Sequence, residues 1–561
     1  MNLRRTFSWR APQLSLAALL LVPAIAQAAE AACAALASLR IPPAKIGLPS
    51  GEAVIGSADT VAAVAQITRA DGTVTPAMPE FCKVIGTIAS IDPSAPAITF
   101  QLNLPTAWNG KALQFGGGGF NGTLVTGLGP AADAPPSSPT PLAQGYLTFG
   151  TDSGHQASSL PEPQAFALNE EALENFAYGA YKKVRDVVVE VATLRYGRKP
   201  DRLYYMGISE GGREGLTMAQ RFPADYDGII SRVPVINWTA LQHAGHRSGL
   251  MQQRGGWLNP SKVELVSRAV LKACDALDGL SDGIVSNDIA CRSAFKVESV
   301  RCPTGTDEGD TCLSERQIAA VNAVHAPFQF DFDLTNGVRE YPGFGYGGEA
   351  QVGGFAQWVM GARAAVFPAS PGVDAVGQQW LFGNAVVRYF VLRDGRADPF
   401  SYSPDTHADR VRQISALMDS TNPDLFAFAH RGGKIIIKEH MADYAQSPFA
   451  GIAYYQSVVA KMSQAVVDQF MCLFVSPGVT HGGAGVSSTT GEPIPQYDDL
   501  LGALDGWVQR GVPPGDLVQT SISATPPFTV TASKPMCRWP AYPRYRGGDP
   551  KDATSFVCSN Q

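Results

Sequence analysis

Past its N-terminal segment, the sequence has no second run of about 20 apolar residues, the length a membrane-spanning helix needs. A helical membrane protein is thereby excluded, and the mature chain is expected to be soluble. Charge is scarce too. Charged residues are 17% of the chain and hydrophobic ones 45%, which excludes disorder and fits a globular protein. Basic charge is the scarcer sign, with 44 Lys and Arg against 50 Asp and Glu. Loss of residues 1–28 would remove Arg4, Arg5 and Arg10 but no acid, leaving 41 against 50, a net charge of −9. That balance argues against nucleic acid or an anionic membrane as partner. No zinc-type ligand set is visible. At 561 residues the chain exceeds one ordinary domain and can bury a large core.

The N-terminal segment has the marks of an export leader. Arg4, Arg5 and Arg10 form a basic start, Leu14 to Ile25 is apolar, and Ala26-Gln27-Ala28 is a small-residue cleavage site. Arg4-Arg5-Thr6-Phe7 also resembles a twin-arginine signal, so either the general or the twin-arginine route fits. The expected location is periplasmic or secreted. In such an oxidising compartment disulfides persist. Sequence alone does not fix connectivity; local proximity suggests Cys274–Cys291, Cys302–Cys312 and Cys537–Cys558, with Cys33–Cys82 across the N-terminal region. Cys472 is left over inside the apolar run 470–475 and reads as an inert core thiol.

The chemistry centres on Tyr204-Tyr205-Met206-Gly207-Ile208-Ser209-Glu210-Gly211. A β-prone stretch enters Gly-x-Ser-x-Gly, and the segment through Gln220 reads as helix. Strand, tight turn and helix are the context that pushes a serine hydroxyl clear of a sheet. Upstream, the strand at 112–115 runs into four glycines, 116–119. Such a loop exposes backbone N–H groups, so Gly118 or Gly119 and the amide of Glu210 are the candidate oxyanion donors. Downstream, Asp443 follows a late strand at 434–438, and His481 follows the last core strand at 469–475. The order Ser209, Asp443, His481 is that of nucleophile, acid and base in α/β-hydrolases. His440 is the alternative base, and His155 reads as structural.

Alternating strands and helices predict an α/β fold of the α/β-hydrolase type, a doubly wound, mostly parallel sheet built from 29–236 and 432–561. Glu174 to Tyr196 reads as one long helix. Between the two parts, strand signals fade and aromatics rise, so residues 237–431 read as a large inserted lid domain. The lid carries Cys274-Asp275-Ala276-Leu277-Asp278-Gly279-Leu280-Ser281-Asp282-Gly283-Ile284. Carboxylates of Asp275, Asp278 and Asp282 with carbonyls of Leu280 and Ile284 make a hard-oxygen set suited to Ca2+, without EF-hand spacing. The lid also holds an aromatic and basic cluster, from which Trp380, Arg396, Phe400 and Ser401 are the expected acyl-side contacts.

With these motifs in place the chain resembles the tannase/feruloyl esterase family of α/β-hydrolases, which also includes mono(2-hydroxyethyl) terephthalate hydrolase. The resemblance rests on residues 116–120, 207–215, Arg221-Phe222-Pro223, 226–229, the Cys274–Cys291 loop, Ala442-Asp443, and Pro477-Gly478 to His481. It implies a serine carboxylesterase with a Ser-Asp-His triad, a lid that receives an aromatic acyl group (feruloyl, galloyl or terephthaloyl), and a structural calcium ion. The family usually has cysteine before the serine and after the histidine, whereas this chain has Ile208 and Gly482. It also has Met441 in place of the usual glycine, and Glu210 matches the terephthalate enzyme's elbow. Two other readings stay open: a broad hydrolase of aliphatic esters or lactones, and a catalytically silent, calcium-stabilised binding protein.

Overall fold

Ten strands share one sheet in the computed structural model, which describes Met1 and residues 32–69, 74–160, 162–368 and 375–560. The expected leader, apart from Met1, lies outside the described residues. In chain order the strands are β1 (Arg40–Ile41), β2 (Ala53–Val61), β3 (Phe81–Ile88), β4 (Ile98–Pro105), β5 (Lys111–Phe115), β6 (Leu147–Thr151), β7 (Arg202–Ile208), β8 (Gly228–Arg232), β9 (Lys434–His440) and β10 (Met471–Ser476). Their spatial order is β1-β2-β3-β4-β6-β5-β7-β8-β9-β10. Pairs from β1 to β6 are antiparallel, and those from β6 onward are parallel. The fold is thus an α/β-hydrolase, with a mixed, mostly parallel central sheet.

Period-two alternation sends side chains into two cores. Tyr205, Ile229, Ile435 and Ile437 face one core, with Val184, Val188 and Val191 of α1 (Ala180–Tyr196) over them. Tyr204, Met206, Ile230 and Ile436 face the other, under Leu500, Leu504 and Trp507 of the helix Leu500–Arg510. Cys472 is buried in that second core as a free thiol, and burial pushes its pKa up to about 12. The helix expected over 174–196 is not one regular α-helix. A π turn at Asn175–Gly179 precedes α1, and there Asn175 Oδ1 accepts a bond from Lys183 Nζ at 2.9 Å. Hydrophobic periodicity does not reveal one inserted residue.

Between β8 and β9 no strand among the described residues joins the main sheet. Trp238, Val266, Val270, Val321 and Phe390 of this segment form a separate core that also takes in Phe120, Phe166, Phe176 and Tyr444 from outside it. Two of its helices, α3 (Trp238–Met251) and α4 (Gln378–Ala385), pack face to face. A Cβ on Gly245 would lie 2.6 Å from the Gln379 carbonyl, so only glycine allows the approach. Cys33–Cys82, Cys274–Cys291, Cys302–Cys312 and Cys537–Cys558 are bonded. Four such bonds suit an oxidising compartment. Among the described residues, no helix is long and apolar enough to cross a membrane.

Candidate active site

β7 ends at Ile208 and the next helix, α2 (Glu210–Arg221), begins at Glu210, so Ser209 makes the turn alone. Its backbone takes φ 61° and ψ −118°, a conformation that residues with a Cβ avoid. Glycines let the turn close. A Cβ on Gly207 would fall 2.1 Å from the Gly211 carbonyl carbon. The Ser209 amide donates to the Arg232 carbonyl on β8 at 2.9 Å, which fixes the turn to the neighbouring strand. Glu210 opens the helix, so its amide has no intrahelical acceptor. Its carboxyl is held by Arg213 Nε at 2.7 Å, and burial pushes it up to about 7 against the pull of that guanidinium.

The glycine loop is tied to the same helix. Glu214 Oε2 accepts from the Gly117 amide at 3.0 Å and from Tyr205 OH at 2.6 Å, while Oε1 accepts from Asn121 Nδ2 at 2.6 Å. One carboxylate therefore fixes both ends of the loop relative to Ser209. Gly118 has no atom within 4 Å of where a Cβ would stand, and Gly119 takes φ +58°. His155 supports this loop from beneath. Its Nε2 donates to the Phe120 carbonyl at 2.9 Å, its ring stacks on Phe166, and burial lowers its pKa to about 4.

Asp443 and His481, the expected acid and base, lie on the turns after β9 and β10. Asp443 Oδ2 lies 2.7 Å from His481 Nδ1. Its Oδ1 accepts the amides of Ala445 and Gln446 at 2.7 and 3.2 Å, so the carboxylate is fully engaged. The two turns are stitched together by Ala442 N–H to the Val479 carbonyl at 3.2 Å. His440 is fully buried, does not border the cavity that Ser209 and His481 line, and donates through Nδ1 to the Thr480 carbonyl at 2.8 Å. Burial lowers its pKa to about 4, so it stays neutral and holds the His481 turn in place.

A profile of the tannase and feruloyl esterase family matches residues 82–559. The chain belongs to the tannase and feruloyl esterase family. An uncharacterised esterase of Agrobacterium fabrum is 38% identical, over 95% of this chain and 94% of that one. Mono(2-hydroxyethyl) terephthalate hydrolase of Piscinibacter sakaiensis is 31% identical, over 86% of this chain and 85% of its own. Feruloyl esterase B from Aspergillus oryzae shares the fold, with a TM-score of 0.74 at 24% identity, covering 94% of this chain and all of that one. The protein is a carboxylic ester hydrolase.

In this esterase Ser209 and His481 border one cavity of about 320 Å³. Gly118, Gly119 and Glu210 border it as well. Its remaining wall differs from the expected one. Trp380 is fully buried with its indole N–H on the Val366 carbonyl, and Phe400 stacks on it, 4.8 Å between centroids. The Arg396 side chain is 97% exposed, and Ser401 Oγ caps the Asp398 carbonyl at 3.0 Å. None of these four borders the cavity. Arg396 extends into water with its Nε 4.0 Å from Asp394, and Trp380 and Phe400 pack on each other. The wall is instead built from Trp238, Leu241, Gln242 and Gly245 of α3, with Phe120, Trp358 and Phe382. The α3 residues stand at i, i+3, i+4 and i+7, one helix face, a periodicity legible in the sequence but not assigned. On the other side of Ile208 lies a second cavity of about 560 Å³, which Gly482 also borders.

The acidic loop of the esterase is ordered by its own backbone. Asp275 Oδ1 accepts the amides of Asp282, Gly283 and Ile284 at 3.0 to 3.3 Å. Asp282 Oδ2 lies 3.0 Å from Lys534 Nζ. Among the described residues the three carboxylates do not gather within 4.8 Å of one another. Asp278 nevertheless leaves Oδ2 buried with no hydrogen-bond partner, and burial pushes its pKa up to about 6. An orphaned buried carboxylate oxygen in an all-oxygen loop fits a hard cation.

Proposed function

We propose that this esterase hydrolyses esters of aromatic acids through an acyl-enzyme on Ser209. The observation that carries the reading is that Ser209 and His481 border one aromatic-walled cavity, with Asp443 bonded to the far nitrogen of the histidine. Ser209 attacks the ester carbonyl while His481 Nε2 takes its proton and returns it to the leaving alcohol. Asp443 fixes the Nδ1–H tautomer and stabilises the imidazolium that forms. Negative charge on the carbonyl oxygen falls to the amides of Glu210 and of Gly118 or Gly119, where loss of one donor typically costs roughly 100- to 1000-fold. Water, activated by the same histidine, then releases the acid.

Residues 237–431 act as the lid that completes the acyl pocket. A calcium ion held by Asp275, Asp278 and Asp282 with the carbonyls of Leu280 and Ile284 would stiffen that lid without joining the reaction. Residues 1–28 act as an export leader to the periplasm or medium. The apolar, aromatic wall favours aromatic over short aliphatic acyl groups.

The experiment is titration with a serine-directed fluorophosphonate alongside turnover of an aryl ester. Labelling at Ser209, with hydrolysis near background in Ser209→Ala, is the expected result. Wild-type turnover in that variant would sink the assignment.

A further inference from the structure

Gln242 lines the cavity with a carboxamide that makes no hydrogen bond among the described residues and takes no part in the proposed chemistry. It sits on α3 and is 6% exposed. Its neighbour in the cavity, Gln379, is fully engaged: Nε2 donates to the Tyr444 carbonyl at 2.8 Å, and Oε1 accepts from Ser248 Oγ at 3.2 Å. The Gln242 carboxamide has no bond to any described residue, yet it is not among the sealed, unpartnered polar groups of the interior. Its oxygen and nitrogen therefore open onto the cavity.

Among the described residues, no lysine or arginine lines the same cavity. The basic residues of the lid are spent elsewhere. Arg388 is paired with Glu162 at 3.0 Å and Arg393 with Glu170 at 2.6 Å. Arg396 projects into solvent. A carboxylate carried on the acyl ring would enter an apolar space without a counter-ion, which strongly disfavours it. A neutral polar substituent has a partner there. A ring hydroxyl can donate to the Gln242 oxygen or accept from its nitrogen, and an unpartnered amide on a mostly apolar wall gains from such a bond.

We infer that Gln242 is the specificity-determining residue on the acyl side, selecting neutral aromatic acyl groups that carry a ring hydroxyl and leaving anionic, terephthaloyl-type acyl groups poorly used. This rests on the proposed esterase reading of Ser209 and goes further by naming the acyl class.

The test uses matched esters of one alcohol: 4-hydroxycinnamate, cinnamate, 4-carboxycinnamate and its neutral carboxamide. For the full-length mature protein, kcat/KM should favour the hydroxyl ester over the unsubstituted one by about tenfold or more. The neutral carboxamide should exceed the carboxylate by at least as much. In Gln242→Leu the hydroxyl preference should fall to near one, and Gln242→Met provides the same reading should the leucine variant not fold. Persistence of the preference in either variant, or equal use of carboxylate and carboxamide by wild type, would overturn the proposal. Fluorophosphonate labelling is run in parallel. If Ser209 does not label, it is the catalytic assignment that has failed, whereas labelling with the wrong preferences isolates the failure to Gln242.

Discussion

Asp443 Oδ2 meets His481 Nδ1 at 2.7 Å across 38 residues of chain, with the carboxylate sealed from solvent and the imidazole 13% exposed. Two consecutive strands, β9 and β10, pair in parallel, and their trailing turns leave the sheet at the same edge. That pairing places an acid and a base side by side without any local sequence signal linking them.

The contact sets the first expectation. Asp443→Asn keeps the shape but leaves the carboxamide to satisfy the Ala445 and Gln446 amides while losing the charge that orients His481. Turnover of an aryl ester should fall roughly 10³- to 10⁴-fold with KM little changed. Steady-state kinetics check this, and a loss below tenfold would assign the orientation of His481 to something else.

His155 gives a pH expectation. Its folded pKa is about 4, lowered by burial from an ordinary 6.5. The unfolded chain then binds the proton more readily between those values, so stability is lost as pH falls from about 6.5 through 4. Glutamine keeps a donor for the Phe120 carbonyl but does not titrate. His155→Gln should be the less stable protein at pH 7, and the gap should narrow by up to about 3 kcal/mol on acidification to pH 4. Denaturant melts at several pH values measure it, and a constant gap would contradict the assignment.

Calcium removal should act on stability rather than on chemistry. A chelator is expected to lower the melting temperature by several degrees, restored by Ca2+ and not by Mg2+. Lys534 holds Asp282 at 3.0 Å and so competes with the ion. Lys534→Met should tighten calcium binding in calorimetry. Identical melting with chelator and with calcium would remove the ion from the lid.

The Ile208 and Gly482 positions border one cavity, and a Cβ at Gly482 meets nothing within 4 Å. The double variant Ile208→Cys, Gly482→Cys should form a disulfide, seen by mass spectrometry without reductant. Activity should survive and stability should rise by about 2–4 kcal/mol. Free thiols after purification under oxidising conditions would show that the two backbones stand too far apart.

Much of the molecule was legible before folding. The strand–turn–helix around Ser209, the glycine run and the three short-range cysteine pairs follow from local pattern, because each depends on residues close in sequence. The π turn at 175–179 was not legible, since a single inserted residue leaves the apolar spacing almost intact. The acyl wall was not legible for a different reason. Residue type nominated Trp380, Arg396 and Phe400, yet direction decides contact. Trp380 and Phe400 turn toward each other and Arg396 toward water, while Gln242 and Phe382 turn inward.

By itself, then, the sequence determined the fold class, the family and which side chains are chemically able to act, because glycines at 207, 211 and 116–119 and the strand alternation admit few other backbones. Only the tertiary structure decided which of two histidines sits beside Asp443, and which polar group is left unsatisfied in the cavity. The first depends on the parallel pairing of β9 and β10, the second on how α3 packs against α4, where Gly245 permits the approach and the neighbouring side chains compete for partners.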